Sequence, residues 1–391
     1  MHNDLKKAYL KKGKEQAILR RHPWVFSGAI YEIEEVDEGD LVEVIDSRGN
    51  FLAIGMVGDG SILIRIISFD KVNINQDFWK EKISVALALR SGLNLGIDSN
   101  TNTYRLIHGE GDGLPGLIID IYGEHAVIQA HTYGMHKVRM EIAEALKSEF
   151  GTELKTVYYK SKSALHRTDV SDEFLLGDTV ESVVLENNMK LNVNWVEGQK
   201  TGFFLDQRVN RALLGTYAKD KSVLNTFSYS GGFSISALLG GATNVVSVDV
   251  SKTAVELCDQ NAELNNVSEN HTAIAADVLA YLKDDEENYD IVVLDPPAFA
   301  KSLKKKHAAT MGYKRLNALG IQKVKPGGLL FTFSCSQVID EPLFIHTVTA
   351  AAMEVGRECQ ILHRLSQGPD HPVSIFHPEG HYLKGLVLRV I

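Results

Sequence analysis

The chain has 391 residues, which is long for one domain and predicts two or three. Hydrophobic residues make up 44% of it and charged residues 23%, as in globular proteins, and no apolar run reaches the roughly 18 to 20 residues of a membrane span. The net charge of −9 argues weakly against nucleic acid as a partner. The first residues lack the apolar core of a secretory signal, so a cytoplasmic protein is expected.

Residues 1–70 are predicted to form a small β domain. Short β-rich runs at 41–45, 51–57 and 62–67 are separated by glycine turns, a pattern that indicates a small barrel. Residues 22–28 read HPWVFSG. With the GDLV and FLAIG runs that follow, this segment resembles the PUA domain, an RNA-binding pseudobarrel. Lysines and arginines crowd residues 6–21 and 301–306, and clustered positive charge is the footprint of phosphate binding, although most such runs are solvated surface.

Residues 71–190 are predicted to form an α+β middle domain. Helical spacing covers 77–92 and 136–150, a hairpin covers 117–122 and 126–130, and further strands are expected within 180–196. His108, Glu110 and Asp112 could be drawn as a metal site. A packed polar loop is the better interpretation, because no further ligand stands at useful spacing, and we expect no metal.

Residues 191–391 show alternating strands and helices. Strands are predicted at 223–227, 245–249, 271–276, 289–294 and 328–333, with helices at 232–239, 252–266 and 308–324 between them and a last strand within 381–391. Residues 325–328 are predicted to be the turn into the strand at 328–333. Such alternation indicates an α/β fold with a doubly wound, mainly parallel sheet.

Residues that end these strands predict the cofactor. Gly231 and Gly232 allow the backbone of a tight turn to approach a ligand, and Asp249 ends the second strand, where it would hold ribose hydroxyls. Asp277 follows the third strand and would accept from an adenine amino group, and Asp295 follows the fourth. These four features in order resemble a Rossmann-like class I S-adenosylmethionine methyltransferase. A dinucleotide fold shares the first two, and Asp249 or Asp277 could be only a helix N-cap.

A polar segment at 200–208, KTGFFLDQR, lies upstream of the first strand. Lys200 and Arg208 can meet the methionine carboxylate, and Phe203 or Phe204 can cover a ring. With NTFSYSGGF at 225–233 and DPPAF at 295–299, the segment resembles the PUA-containing family of large-subunit (23S) rRNA methyltransferases over essentially the whole chain. The resemblance implies S-adenosyl-L-methionine as methyl donor and rRNA, naked or in a large-subunit particle, as substrate.

The expected cofactor-binding residues are Lys200, Phe203, Gln207, Arg208, Asn225, Ser228, Tyr229, Gly231, Asp249, Asp277 and Asp295. The residues expected to contact substrate RNA are Pro296, Pro297, Phe299 and Lys301. Whether the PUA and middle domains form a homodimer or only contact RNA stays undecided.

Cys335 is the predicted nucleophile, since the cytosine-C5 members of this family carry a cysteine at its position. A thiolate that adds to cytosine C6 makes C5 nucleophilic toward the sulfonium methyl group. Asp295 would stabilise the base as charge moves into the ring. Many RNA cytosine-C5 enzymes have a second cysteine after strand four, and residues 295–299 contain none, so the group that removes the C5 proton is unassigned. Cys258 and Cys359 are expected to be structural.

Three alternatives stay open at this stage. Cys335 could be a half-buried hydrophobe, with the methyl group going to a guanine nitrogen, because Asp-Pro-Pro motifs also serve amino-group methylation. Methylation of uridine C5 also uses a cysteine, and only the family resemblance argues against it. The chain could finally be a non-catalytic RNA-binding factor in ribosome assembly.

Overall fold

The computed structural model describes residues 5–180, 183–300 and 302–391, and the chain divides into two compact units. The first unit comprises Met1–Val184, Asn194–Leu205 and Pro369–Gly380, and the second comprises Leu185–Val193, Asp206–Gly368 and His381–Ile391. The segments predicted as domains 1–70 and 71–190 lie in the first unit except for residues 185–190. The predicted domain 191–391 contributes two segments to the first unit and the remainder to the second.

A six-stranded sheet is formed by the N-terminal part of the first unit. Its elements are β1 (Lys6–Leu10), α1 (Gln16–Leu19), β2 (Trp24–Phe26), β3 (Ile30–Ile33), β4 (Leu41–Ile45), β5 (Phe51–Val57) and β6 (Ile62–Ser68), in strand order β2-β6-β5-β4-β1-β3. The three strands predicted from short β-rich runs between glycine turns are confirmed. The parallel pairing of β1 with β4 was not predicted, because a pairing between distant strands leaves no local signal.

A five-stranded sheet forms the rest of the first unit. Its elements are α2 (Gln76–Gly92), β7 (Thr103–His108), β8 (Leu117–Tyr122), β9 (His125–Ala130), α3 (Tyr133–Lys137), α4 (Arg139–Phe150), β10 (Thr156–Tyr159), α5 (Lys162–Leu165) and β11 (Glu173–Leu176), in order β11-β10-β9-β8-β7. The β8–β9 hairpin is confirmed. The helix predicted at 136–150 begins earlier, where Thr132 caps α3, and is interrupted at Val138.

A seven-stranded sheet dominates the second unit. The strands are β14 (Ser222–Thr226), β15 (Asn244–Asp249), β16 (His271–Ala275), β17 (Tyr289–Leu294), β18 (Val324–Ser334), β19 (Cys359–Leu365) and β20 (Lys384–Val390). The helices are α6 (Arg208–Tyr217), α7 (Gly232–Leu239), α8 (Lys252–Leu264), α9 (Val278–Asp284), α10 (Lys306–Lys323) and α11 (Glu341–Glu354). Before them, β12 (Val183–Glu186) and β13 (Met189–Asn192) form a separate two-stranded sheet.

The strand order of this sheet, β16-β15-β14-β17-β18-β20-β19, determines where a ligand can bind. The first five strands are parallel and β20 is antiparallel to both of its neighbours, so the predicted mainly parallel sheet is confirmed. The chain first builds outward from β14 to β16 and then returns to the other side of β14 with β17. A crevice opens at the carboxyl ends of strands at such a switch point.

The start of β18 also differs from its prediction. Residues 325–328, predicted as a turn, lie within β18, because Tyr289 pairs with Val324 and Ile291 pairs with Leu329. The intervening residues bulge out of the ladder, and Gly327, with φ of 81°, permits the bulge.

Candidate active site

The turn between β14 and α7 has an unusual backbone. Phe227 and Tyr229 have φ of 55° and 47°, and Gly231 has φ of 81°. Such angles cost a non-glycine residue roughly 1–3 kcal/mol, and backbone strain of this kind is concentrated at functional sites. A Cβ atom at Gly231 would lie 2.2 Å from Cys258 Sγ in α8. Glycine is therefore required here by packing against α8 as well as by the shape of the turn.

Asp249, the last residue of β15, braces this turn. Its Oδ2 accepts from the Tyr229 N–H over 2.9 Å, and its Oδ1 accepts from the Ser251 N–H over 2.9 Å. Ser251, not Asp249, caps α8. A carboxylate has about four acceptor positions, so Asp249 retains capacity for the ribose hydroxyls that we predicted as its partners.

Asp277 is the N-cap of α9, which was the alternative to a role in adenine binding. Its Oδ1 accepts from the Ala280 N–H over 2.9 Å at the start of α9. The side chain is exposed, and Oδ2 accepts no bond within the described residues. Capping and binding an amino group are compatible, because they use different oxygens.

Several buried polar atoms at the same turn have no hydrogen-bond partner within the described residues. Asn225 donates from Nδ2 to Ser234 Oγ over 2.8 Å, but its buried Oδ1 accepts nothing within the described residues. The buried hydroxyls of Ser228 and Ser230 are likewise unsatisfied in this part of the chain. Each such atom costs about 1–3 kcal/mol. These atoms, with Asp249 beside them, fit a polar ligand that carries hydroxyl and amino groups.

Asp295 follows β17 and is held by a side chain that the sequence could not pair with it. Gln207 Nε2 donates to Asp295 Oδ1 over 3.0 Å. Asn210 Nδ2 donates to Gln207 Oε1 over 2.6 Å and to the Ser366 carbonyl over 3.1 Å. Because Asn210 occupies the Gln207 oxygen, the amide nitrogen of Gln207 faces Asp295. Arg208, the first residue of α6, is buried.

Cys335 and the Asp-Pro-Pro turn lie side by side. Leu294 and Thr332 are paired in the parallel strands β17 and β18, so the residues that follow both strands emerge at the same edge of the sheet. The Cys335 thiol is half-buried, and its Sγ lies 4.0 Å from the Pro296 carbonyl oxygen.

The residues predicted to contact RNA differ in their surroundings. Pro296 is buried and Pro297 is exposed. The Phe299 ring is half-buried, and its centroid lies 4.5 Å from that of Tyr313, with 32° between the ring planes. Lys301 lies outside the described residues.

Two predicted cofactor residues belong to the first unit. Lys200 is exposed, has φ of 51°, and places its Nζ 4.4 Å from the Phe204 ring centroid. Phe203 is buried, and its N–H donates to the Tyr122 hydroxyl over 3.1 Å. Thr201 donates to Asp120 Oδ2 over 2.6 Å. The segment Asn194–Leu205 is thereby anchored to β8.

Sequence reasoning missed the residues that anchor this segment. Asp120 also pairs with Arg105, at 2.8 Å and 2.9 Å, and the buried Lys160 donates to the carbonyls of Trp195 and Gly198 over 3.0 Å and 2.6 Å. The available signal was a single carboxylate in the apolar strand LIIDIY, since a buried charge needs a partner.

The loop with His108, Glu110 and Asp112, which could be drawn as a metal site, has other contacts in the structure. Asp112 accepts two hydrogen bonds from the buried Arg90, at 2.6 Å and 2.8 Å, and Glu110 accepts from Trp24 Nε1 over 2.8 Å. Within the described residues, no three His, Cys, Asp or Glu side chains are grouped to hold a metal. The same residues contain no helix with the length and apolarity to span a membrane.

A mainly parallel sheet of this order, with a glycine-rich turn after its first strand and acidic residues after the next three, is the architecture of an S-adenosylmethionine-dependent methyltransferase. A family model of that description matches residues 154–388, and a model of the PUA-like domain matches residues 8–69. Two proteins named "Ribosomal RNA large subunit methyltransferase I" are similar over nearly the full length. The one from Tolumonas auensis is 40% identical over 98% of this chain and 99% of its own, and the one from Aeromonas salmonicida is 42% identical over 97% and 98%. The chain belongs to the ribosomal RNA large subunit methyltransferase I family, and its cofactor is S-adenosylmethionine.

Solved structures agree on the fold. A candidate S-adenosylmethionine-dependent methyltransferase from Streptococcus mutans has a TM-score of 0.83 at 24% identity, covering 98% of this chain and 99% of its own. A candidate methyltransferase solved with SAH has a TM-score of 0.85 at 24% identity over the same shares. The predicted fold class, a methyltransferase domain with a PUA-like domain before it, is confirmed.

Proposed function

We propose that this protein methylates C5 of a cytosine in large-subunit (23S) rRNA, with Cys335 as the nucleophile. The names of its relatives support large-subunit rRNA as the substrate, and the PUA-like domain supports RNA as the partner. The observation that carries the cytosine chemistry is the 4.0 Å separation between Cys335 Sγ and the Pro296 carbonyl oxygen, which brings the thiol next to the Asp-Pro-Pro turn. We also propose a cytoplasmic location, where ribosomes are made, with rRNA or a large-subunit particle as the partner.

The proposed reaction uses the thiolate of Cys335 first. Its sulfur bonds to cytosine C6, and the ring electrons move to C5. S-adenosylmethionine, when bound, would supply the methyl group to C5 and leave as SAH. A base then removes the C5 proton, the electrons of that C–H bond re-form the C5–C6 double bond, and the Cys335 thiolate leaves C6. The atoms balance with one methyl group gained and one proton released.

Asp295 is proposed to act on the ring of the substrate. Its Oδ1 is already engaged by Gln207, so its orientation is fixed before RNA arrives. A group held in advance stabilises developing charge without reorganising in the transition state. Protonated or hydrogen-bonded, the carboxyl group would hold N3 or the exocyclic amino group as negative charge enters the ring.

The remaining site residues have proposed roles. Lys200 and Arg208 are assigned to the methionine carboxylate, Phe203 to a ring, Asp249 to the ribose and Asp277 to the adenine. The proposed cofactor site is completed by Gln207, Asn225, Ser228, Tyr229, Gly231 and Asp295. The buried oxygens of Asn225 and Ser228 are available to accept from the cofactor. Pro296, Pro297, Phe299 and Lys301 are proposed RNA contacts. The exposed Pro297 and the half-buried Phe299 have surface left for a base.

The test compares wild-type protein with Cys335→Ala on 23S rRNA transcripts and on large-subunit particles, followed by mass spectrometry of the digested nucleosides. Wild type is expected to yield 5-methylcytidine. Cys335→Ala is expected to lose at least about a thousandfold in rate and still bind SAH by calorimetry. Cys359→Ala, which alters a half-buried thiol in β19, is the matched control and should retain activity.

A trapping experiment isolates the covalent step. RNA that contains 5-fluorocytidine cannot lose a proton from C5, so the adduct accumulates and survives denaturing electrophoresis. Wild type and Cys359→Ala should give the adduct, whereas Cys335→Ala should not. Full activity of Cys335→Ala, or a methyl group on a guanine nitrogen or on uridine, would overturn the cytosine proposal.

A further inference from the structure

Lys384 is a buried lysine next to the proposed nucleophile. It is the first residue of β20 and pairs with Ser334 at the end of β18. Its side chain is only 4% exposed. Nζ donates to the Ser336 carbonyl over 2.8 Å and to the Tyr382 carbonyl over 2.6 Å, so the ammonium group lies under the turn that carries Cys335.

The charge of this ammonium group is not cancelled by a carboxylate, since Lys384 forms no ion pair within the described residues. Burial lowers the pKa of Lys384 to about 8, while negative charge at Cys335 and Asp340 opposes that shift. Asp340 is exposed and caps α11 by accepting from the Leu343 N–H. Tyr313 of α10 contacts the same turn through Ser336 Oγ, and burial raises the pKa of its hydroxyl, so it remains neutral.

A positive charge near Cys335 would favour the thiolate form that the proposed reaction requires. One of the neighbours of Cys335, the Pro296 carbonyl oxygen at 4.0 Å, can accept from a thiol and repels a thiolate. A cation nearby favours the thiolate, which is the nucleophilic form. The two carbonyls use two of the three ammonium protons of Lys384, which leaves one for the sulfur or the solvent.

We propose that Lys384 is the cation that keeps Cys335 as a thiolate while its two carbonyl bonds hold the 334–336 turn in position. Lys384 is thus a positioning residue for the reaction, acting through Cys335. This inference rests on the proposed function for its meaning in catalysis, but the coupling between the two side chains can be measured without RNA or cofactor.

The measurement is the rate of alkylation of Cys335 by iodoacetamide between about pH 6 and pH 10, followed by peptide mass spectrometry. An opposite charge within about 4–6 Å shifts a thiol by one or more pKa units, and nucleophilicity falls as pKa falls, with a slope of about 0.4–0.5. Lys384→Met is therefore expected to react about threefold more slowly than wild type near pH 7. The two rates should converge near pH 10, where Lys384, with a pKa of about 8, has lost its charge. Lys384→Arg, which retains the charge, should follow wild type near pH 7.

The matched control is Lys323→Met. Lys323 is also buried and also donates to a backbone carbonyl, that of Asp285, but it precedes β18 and so lies at the opposite end of that strand. Its alkylation curve should match wild type. SAH binding confirms that each variant is folded. If Lys384→Met fails to bind SAH, Lys384→Gln, which retains an amide donor, replaces it.

Alkylation curves of wild type and Lys384→Met that separate near pH 7 and converge near pH 10 support the proposal. A Lys384→Met curve that matches wild type, or that is displaced equally at every pH, overturns it, since the latter is the mark of altered access alone. Failure of the proposed function has a different signature. In that case the fluorocytidine adduct does not form with wild type, whatever the alkylation curves show.

Discussion

The Gln207 amide nitrogen donates to Asp295 Oδ1 over 3.0 Å, across 88 positions of sequence, and Asn210 holds the amide in that orientation. Gln207 was predicted to bind the cofactor. Its observed partner is the carboxylate proposed to act on the substrate base. The two roles predict different kinetic defects, so they can be separated.

Gln207→Met is expected to lower the rate of methyl transfer roughly 10- to 100-fold, because a hydrogen bond to a charged group contributes about 1.5–3 kcal/mol. SAH affinity should change less than about fivefold if the amide acts on Asp295. Single-turnover methylation and calorimetry measure the two quantities. Gln260→Met, on the exposed surface of α8, is the control. A variant that loses SAH affinity but keeps its single-turnover rate at saturating cofactor would show that Gln207 acts on the cofactor.

Gly231→Ala should abolish SAH binding and destabilise the second unit. The new Cβ would lie 2.2 Å from Cys258 Sγ, and alanine at φ of 81° adds roughly 1–2 kcal/mol of strain. Combining it with Cys258→Ala removes the sulfur contact and leaves the backbone strain, so the double variant should recover part of the stability. Urea unfolding of the single and double variants measures this. Equal stabilities would mean that the contact with Cys258 is not what requires glycine.

Removing one partner of the buried ion pair Arg211–Glu186 is predicted to lower the free energy of unfolding strongly. Replacing both partners with apolar residues is predicted to change it little. The two side chains are 3% and 1% exposed and are joined by bonds of 2.7 Å and 2.6 Å. Glu186→Ala leaves a buried guanidinium group without that carboxylate and should cost about 3–5 kcal/mol, whereas Glu186→Leu with Arg211→Met should be close to neutral.

The rate of labelling of Cys258, which is fully buried in α8, reports the opening of the second unit. The exposed pair Arg364–Glu341 is the control, and Glu341→Ala should cost less than about 1 kcal/mol. If Glu186→Ala labelled Cys258 no faster than Glu341→Ala, the buried pair would contribute nothing to this unit.

Local patterns predicted most of the fold. Short β-rich runs between glycine turns located β4, β5 and β6, and the alternation of strands with helices predicted a mainly parallel sheet. Features that depend on contacts distant in sequence were missed, including the parallel β1–β4 pairing and the extension of β18 through its bulge. The short strands β10 and β11 have too few residues for a clear period.

The candidate site shows the same division. Strand ends could be read from the sequence, so Asp249 and Cys335 could be assigned to one edge of the sheet. Side-chain partners could not, because Lys384 and Ser336 are 48 positions apart and Gln207 and Asp295 are 88 apart. The sequence predicted that Gly231 allows a tight turn, but it did not predict the close contact with Cys258, because that contact depends on how α8 packs. The individual cofactor and RNA assignments stay predictions.

The stability of the first unit is expected to fall as the pH drops below about 6.5. His136 is buried, hydrogen-bonded to the Tyr159 hydroxyl at 2.7 Å and stacked on Tyr133. Burial, aided by the charge of Arg139, lowers the pKa of His136. The unfolded chain, in which histidine has a pKa of about 6.5, then binds a proton that the folded unit does not, so acid favours unfolding.

His136→Gln can keep a hydrogen bond to Tyr159 but does not titrate. Its urea midpoint should therefore fall less than that of wild type between about pH 7 and pH 5. All three tryptophans lie in the first unit, so their fluorescence follows its unfolding. His166→Asn alters an exposed histidine with φ of 52°, an angle that asparagine tolerates, and should keep the wild-type pH dependence. An unchanged pH dependence in His136→Gln would mean that the proton is bound elsewhere.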